Sequence, residues 1–107
     1  MIAHQFNTFT AAIAALVTAT HTADVERTIT RNNIVDELCG LAVNVRQMQT
    51  IVDDLTHRLT YDTSVRVVFV RNAQTHSVTG MACSSCAPDD YGFDLYAPIA
   101  AYPLATH

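Results

Sequence analysis

Cys83 and Cys86, in the run Cys83-Ser84-Ser85-Cys86, have the spacing in this chain best suited to chemistry. Two thiolates so placed can share a zinc ion, with Cys39, His57 or His76 completing a tetrahedral set. Zinc ribbons carry two such pairs, and this chain has one. A redox role asks for the first cysteine at a helix N-terminus, where the dipole lowers its pKa. Pro88, two residues past Cys86, leaves no helix for that. The pair therefore reads first as plain thiols, and a small metalloprotein built on Cys83 and Cys86 is the alternative. Three cysteines, an odd number, imply no disulfide framework and point to a reducing, cytoplasmic setting.

Asp53, Asp54 and His57 share one helical turn and include two types of metal ligand. A di-metal bundle needs matching carboxylates from a facing helix, and the segment Thr8 to Ala12 that would lie opposite has none. The cluster reads as a solvated helix end. The five histidines, His4, His21, His57, His76 and His107, show no zinc-protease spacing. Ser84 and Ser85 lack the glycine-flanked elbow of a hydrolase nucleophile, and three glycines in all make no phosphate-cradling loop. No catalytic residue, metal ligand or cofactor site is assigned.

Binding surfaces are the other source of function. Six arginines dispersed among ten acids, for a net charge of −4, disfavour nucleic acid. The apolar run at Ala11–Val17 has no preceding cation and is far short of the roughly 20 residues that span a bilayer, so neither a targeting signal nor a membrane partner is expected. Tyrosine is enriched at protein interfaces because it is large and amphipathic. Tyr91, Tyr96 and Tyr102 fall in the C-terminal third, and Asp89, Asp90 and Asp94 beside them would give such a surface a negative rim suited to a basic partner. These six residues form the candidate protein interface; the competing reading is that Phe93 and one or two of the tyrosines pack as core between sheet and helix.

The elements that must position these groups are set by one long stretch. Ile34, Leu38, Leu41, Val45, Met48, Val52, Leu55 and Leu59 follow an unbroken 4-3-4-3-4-3-4 spacing. That period predicts a helix over about 33–60 with one apolar seam. It would be about 40 Å long at 1.5 Å per residue, so something must lie along it. Read in heptads, Leu38, Val45, Val52 and Leu59 fall at a, and Ile34, Leu41, Met48 and Leu55 at d, which leans toward a two-stranded seam. Asn33 is the expected N-cap, and Asp54 and Arg58 an (i, i+4) ion pair. Gly40 costs such a helix about 1 kcal/mol unless a neighbour approaches closely there.

Before the seam, Phe6, Phe9, Ile13, Leu16 and Val17 predict a helix from about His4 to Thr20. Residues 23–31 read as its bent continuation or as a short second helix. After it, Ser64 to Arg71 is rich in β-branched residues and predicts a strand. Asn72 to His76 is a hairpin loop, and Ser77 to Cys83 a second strand in which Gly80 marks a bulge or a close contact. Phe93 to Ala97 alternates as a third strand, and the tail through Tyr102 and Pro103 reads as extended and superficial. The expected architecture is a single α+β domain, 1–107. An antiparallel helical hairpin fills 1–60, and a small antiparallel sheet of two or three strands fills 61–107.

The functional expectation is a small acidic non-enzymatic module, an inhibitor, adaptor or regulator that binds a protein partner. The seam's length adds a homodimer packed helix to helix. An enzyme with a site assembled across such a dimer is the further alternative.

Overall fold

The computed structural model describes residues 4–85 and 99–104. Their centre is β4 (Val65–Asn72), whose run Val67 to Val70 is apolar on both faces. A strand of that kind needs cover on each side. Its hairpin partner is β5 (Val78–Ser85), and β6 (Ile99–Pro103) lies antiparallel on β5, with Met81 opposite Tyr102 and Cys83 opposite Ala100. The short strand β1 (His4–Phe6) closes one edge on β6. At the other edge β2 (His21–Ala23) and β3 (Arg27–Ile29) both pair with β4. The order is β1-β6-β5-β4-β2 with β3 also on β4, a six-stranded antiparallel sheet.

Three helices complete the described residues: α1 (Phe9–Leu16), α2 (Ile34–Leu38) and α3 (Val45–Tyr61). The strand period of two sends alternate residues to opposite faces, and a different helix covers each. Val65, Val67, Phe69, Met81, Cys83 and Tyr102 form one core with Ile51, Leu55 and Leu59 of α3 and Leu38 of α2. Val68, Ala82 and Ala101 form the other with Phe9 and Ala12 of α1. Small residues let α1 lie close to the sheet. A Cβ at Gly80 would stand 3.2 Å from both Leu16 Cδ1 and the Tyr102 carbonyl oxygen. The β4–β5 register also shifts there, between Val70 and Arg71.

The helical hairpin is absent, and three expectations change with it. First, the segment 4–20 is not one helix. Phe6 sits in β1, Thr8 caps α1 by accepting from the Ala11 amide at 3.1 Å, and the helix ends at Leu16 on the sheet face opposite α3. Second, residues 21–23 and 27–29 are strands. Three residues, Asp24 to Glu26, oppose Val68 and Phe69, so the edge is bulged, although the Asp24 amide still donates to the Phe69 carbonyl at 2.8 Å. Arg71–Asp24 (2.8 Å) and Arg66–Glu26 (2.9 Å) ion pairs charge that edge, which blunts it against pairing with another chain. Third, the sheet has six strands, not two or three. The tail read as superficial is the buried inner strand β6, and the strand expected over 93–97 lies outside the described residues.

The long helix over 33–60 is also broken. Residues 39–44 are non-helical between α2 and α3, with Gly40 at φ +86°. No neighbour among the described residues approaches Gly40, since a Cβ there would meet none of them within 4 Å. The glycine supplies the left-handed conformation that stops α2. Asn44 then opens α3 with a capping box: its Oδ1 accepts from the Gln47 amide at 2.8 Å, and Gln47 Oε1 accepts from the Asn44 amide at 3.1 Å. Asn33, the expected cap, makes no side-chain cap bond. Its Oδ1 accepts from the Thr30 amide and pins the turn before α2. At the far end Arg31 donates to the Leu59 carbonyl through Nε (3.1 Å) and Nη2 (2.9 Å).

Because a Cβ at position 40 has room, Gly40→Ala should cost only the left-handed strain, about 1–2 kcal/mol. Denaturant unfolding checks this, and an unchanged slope with a lower midpoint is the expected form.

Candidate functional site

Where α3 crosses β5 and β6, four polar side chains close on one another. Asp54 and Arg58, one turn apart on α3, face Cys83 of β5 and Tyr102 of β6, which are diagonal neighbours on the sheet face under the helix. Asp54 is the hub. Its Oδ1 accepts from the Tyr102 hydroxyl at 3.0 Å, and its Oδ2 from Arg58 Nε at 3.2 Å and the Cys83 thiol at 3.6 Å. Arg58 Nη2 donates to the Tyr102 oxygen at 2.9 Å.

Burial sets the electrostatics of this ring. Cys83 is wholly buried, which pushes its thiol up to about 12 against the pull of the Arg58 guanidinium. Burial likewise pushes the Tyr102 hydroxyl up to about 12, with Arg58 opposing and Cys83 and Asp54 adding. Burial alone would lower Arg58, but Cys83, Tyr102 and Asp54 outweigh it and raise the guanidinium above its ordinary value. At neutral pH Cys83 is thus a protonated thiol spent on a carboxylate. That is a poor nucleophile and a poor metal ligand. The cluster acts as a polar clasp between α3 and the sheet.

The clasp makes the fold sensitive to alkali. The folded chain holds the Cys83 and Tyr102 protons more tightly than the unfolded chain, whose groups titrate near 9 and 10. Their contribution to stability is complete below about pH 9 and is lost as pH rises toward about 12. Melting temperature should therefore be level up to that range and fall above it, and Cys83→Ala should flatten the fall.

The other singled-out residues are not brought together. Asp53 and His57 point outward from α3 while Asp54 points in, so that trio does not converge. His57 packs edge-on against the exposed Tyr61, their rings 5.6 Å apart. His21 Nδ1 lies 3.0 Å from the hydroxyls of Thr18 and Thr20, and His76 turns the β4–β5 hairpin at φ 61°. Cys39 is an exposed thiol away from Cys83. Among the described residues no three His, Cys, Asp or Glu side chains gather as a metal site would require. Cys86, Tyr91, Tyr96, Asp89, Asp90 and Asp94 lie outside the described residues. Tyr102, read as an interface anchor, is 6% exposed and belongs to the clasp.

The seam residues divide. Leu38, Leu41, Leu55 and Leu59 are core, and Ile34 and Met48 pack partly against it. Val45 and Val52 do not join them, at 85% and 37% exposed. The buried row of α3 is instead Gln47, Ile51, Leu55 and Leu59, at steps of four. Gln47 serves there by donating its Nε2 hydrogens to the carbonyls of Val78 (3.3 Å) and Leu104. Val45, Met48 and Val52, with Val43, line a shallow outward groove of about 460 Å³ closed by Asn44, Gln49 and Asp53. Sequence reasoning missed Ile51 and Gln47, although Asn44-x-x-Gln47 was a visible helix-start signal.

Two features of the described residues bear on membranes and on kinship. No helix is long and apolar enough to cross a membrane. Comparison with protein-family models, curated proteins and solved structures gives no match.

Proposed function

We propose that the protein is a small acidic, non-enzymatic, cytoplasmic interaction module, which inhibits, links or regulates by occupying a protein partner's surface. The observation that carries this reading is the outward apolar row Val45–Met48–Val52 on the longest helix. Apolar side chains aligned on a helix that already buries another row favour a second contact. Arg46 adds to this. Five of the six arginines bond within the chain, to Asp24, Glu26, Glu37, Asp54 or the Leu59 carbonyl. Arg46 has no such partner among the described residues, and arginine is enriched in interfaces. The closed state of the clasp supports binding over turnover, because its thiol is protonated and its carboxylate is spent. Tyr91 and Tyr96 with Asp89, Asp90 and Asp94 extend the proposal on composition to the C-terminal third.

Capture of host proteins on the immobilised chain tests the reading. Val45→Glu should abolish a specific capture without lowering the melting temperature, and Tyr91→Ala or Tyr96→Ala should weaken it. Capture indifferent to all three variants contradicts the proposal.

A further inference from the structure

We infer that the outer row of α3 pairs with a second copy of itself, the two helices antiparallel about a two-fold axis between Met48 and Gln49. This rests on the reading of that row as a binding surface, and names its occupant. Val45 and Val52 are seven residues apart and so share one face, and Arg46 and Asp53 form a parallel row beside them. Both charged residues are exposed, and neither has an ion pair among the described residues. The surface therefore has a cation at one end and an anion at the other, flanking an apolar strip.

That arrangement complements its own reversal. A two-fold axis perpendicular to both helices sets Val45 of each copy on Val52 of the other. The same operation leaves Arg46 of each about two residues, roughly 3 Å along the helix, from Asp53 of the other on the same flank, a gap the long arginine side chain spans. The interface is isologous, with every contact made twice. A parallel pairing, with its two-fold along the helices, sends Arg46 and Asp53 of the two copies to opposite flanks of the seam, so neither charge gains a counter-ion. Antiparallel self-pairing desolvates the strip and gives both unpartnered charges a counter-ion. A single-helix contact is small, so the dimer is a weak and concentration-dependent one.

Sedimentation of the full chain over a dilution series tests this. The mass should pass from one chain to two as concentration rises. Arg46→Asp and Asp53→Arg should each weaken association about tenfold, since two pairs turn repulsive at once, and the double exchange should return it to within about threefold. Val45→Glu should leave a folded monomer, with folding checked by circular dichroism. A single-chain mass at every concentration overturns the inference, as does a dimer indifferent to both charge reversals. If the chain is monomeric while Val45→Glu still abolishes capture of a host protein, self-pairing is overturned and the binding surface stands. If the dimer responds to the reversals and no host protein is captured, self-pairing stands and the wider reading fails.

Discussion

Leu55→Ala should lower stability by about 2–5 kcal/mol, and Val52→Ala, three residues earlier on the same helix, by less than about 0.5 kcal/mol. Both residues belong to the apolar spacing that runs through 34–59. Leu55 is wholly buried against the sheet, so truncation leaves a cavity that neighbouring backbone cannot close. Val52 is 37% exposed and stands in the groove on the outer side of the helix. Ile51, also wholly buried, should behave like Leu55. Chemical unfolding of the three variants at low protein concentration measures all of this. Comparable losses for Val52 and Leu55 would show that the outer row is core after all.

Asp54→Ala should cost about 3 kcal/mol, the low end for removing one member of a buried ion pair, because the Asp54 side chain is 23% exposed. The variant leaves Arg58 under the helix with its counter-ion gone, and strips the Tyr102 hydroxyl and the Cys83 thiol of their acceptor. Most of the loss comes from the stranded guanidinium. Replacing Arg58 by methionine in the same chain should therefore recover a large part of it. A double-mutant cycle by thermal melting reads the coupling. A loss under about 1 kcal/mol for Asp54→Ala would place the pair in the class of exposed, screened ion pairs.

How far the fold was legible depended on how local its causes are. The β4–β5 hairpin could be read because Val65 to Val70 and Val78 to Cys83 carry strand composition on either side of a polar turn. The edge strands could not, because three-residue strands such as His21–Ala23 and Arg27–Ile29 are too short to show a period. They exist because β4 offers them a ladder. In β6, Ala100 and Ala101 gave little sign of burial, since small residues are chosen there by the close approach of α1 and α3. The seam misled for a subtler reason. Its spacing continues through Gly40, yet the left-handed turn there and the capping box at Asn44 restart the helix in a new phase. The core then falls on Ile51 and Leu55, and Val45 and Val52 turn outward. The clasp was half visible: Asp54 and Arg58 could be paired from their spacing, but Tyr102 and Cys83 join them only through the β5–β6 register.

The division of α3 into a buried row and a self-pairing outer row can be measured directly by thiol labelling. Cysteines placed one at a time at Val45, Ile51, Val52 and Leu55, in a chain with Cys39→Ser and Cys86→Ser that keeps the buried Cys83, would be exposed to an alkylating reagent across a protein dilution series. Val45→Cys and Val52→Cys should react rapidly in dilute solution and become protected on concentration. Ile51→Cys and Leu55→Cys should stay protected throughout the folded range. Equal protection at all four positions irrespective of concentration, or rapid labelling of positions 45 and 52 that never slows, would contradict that division.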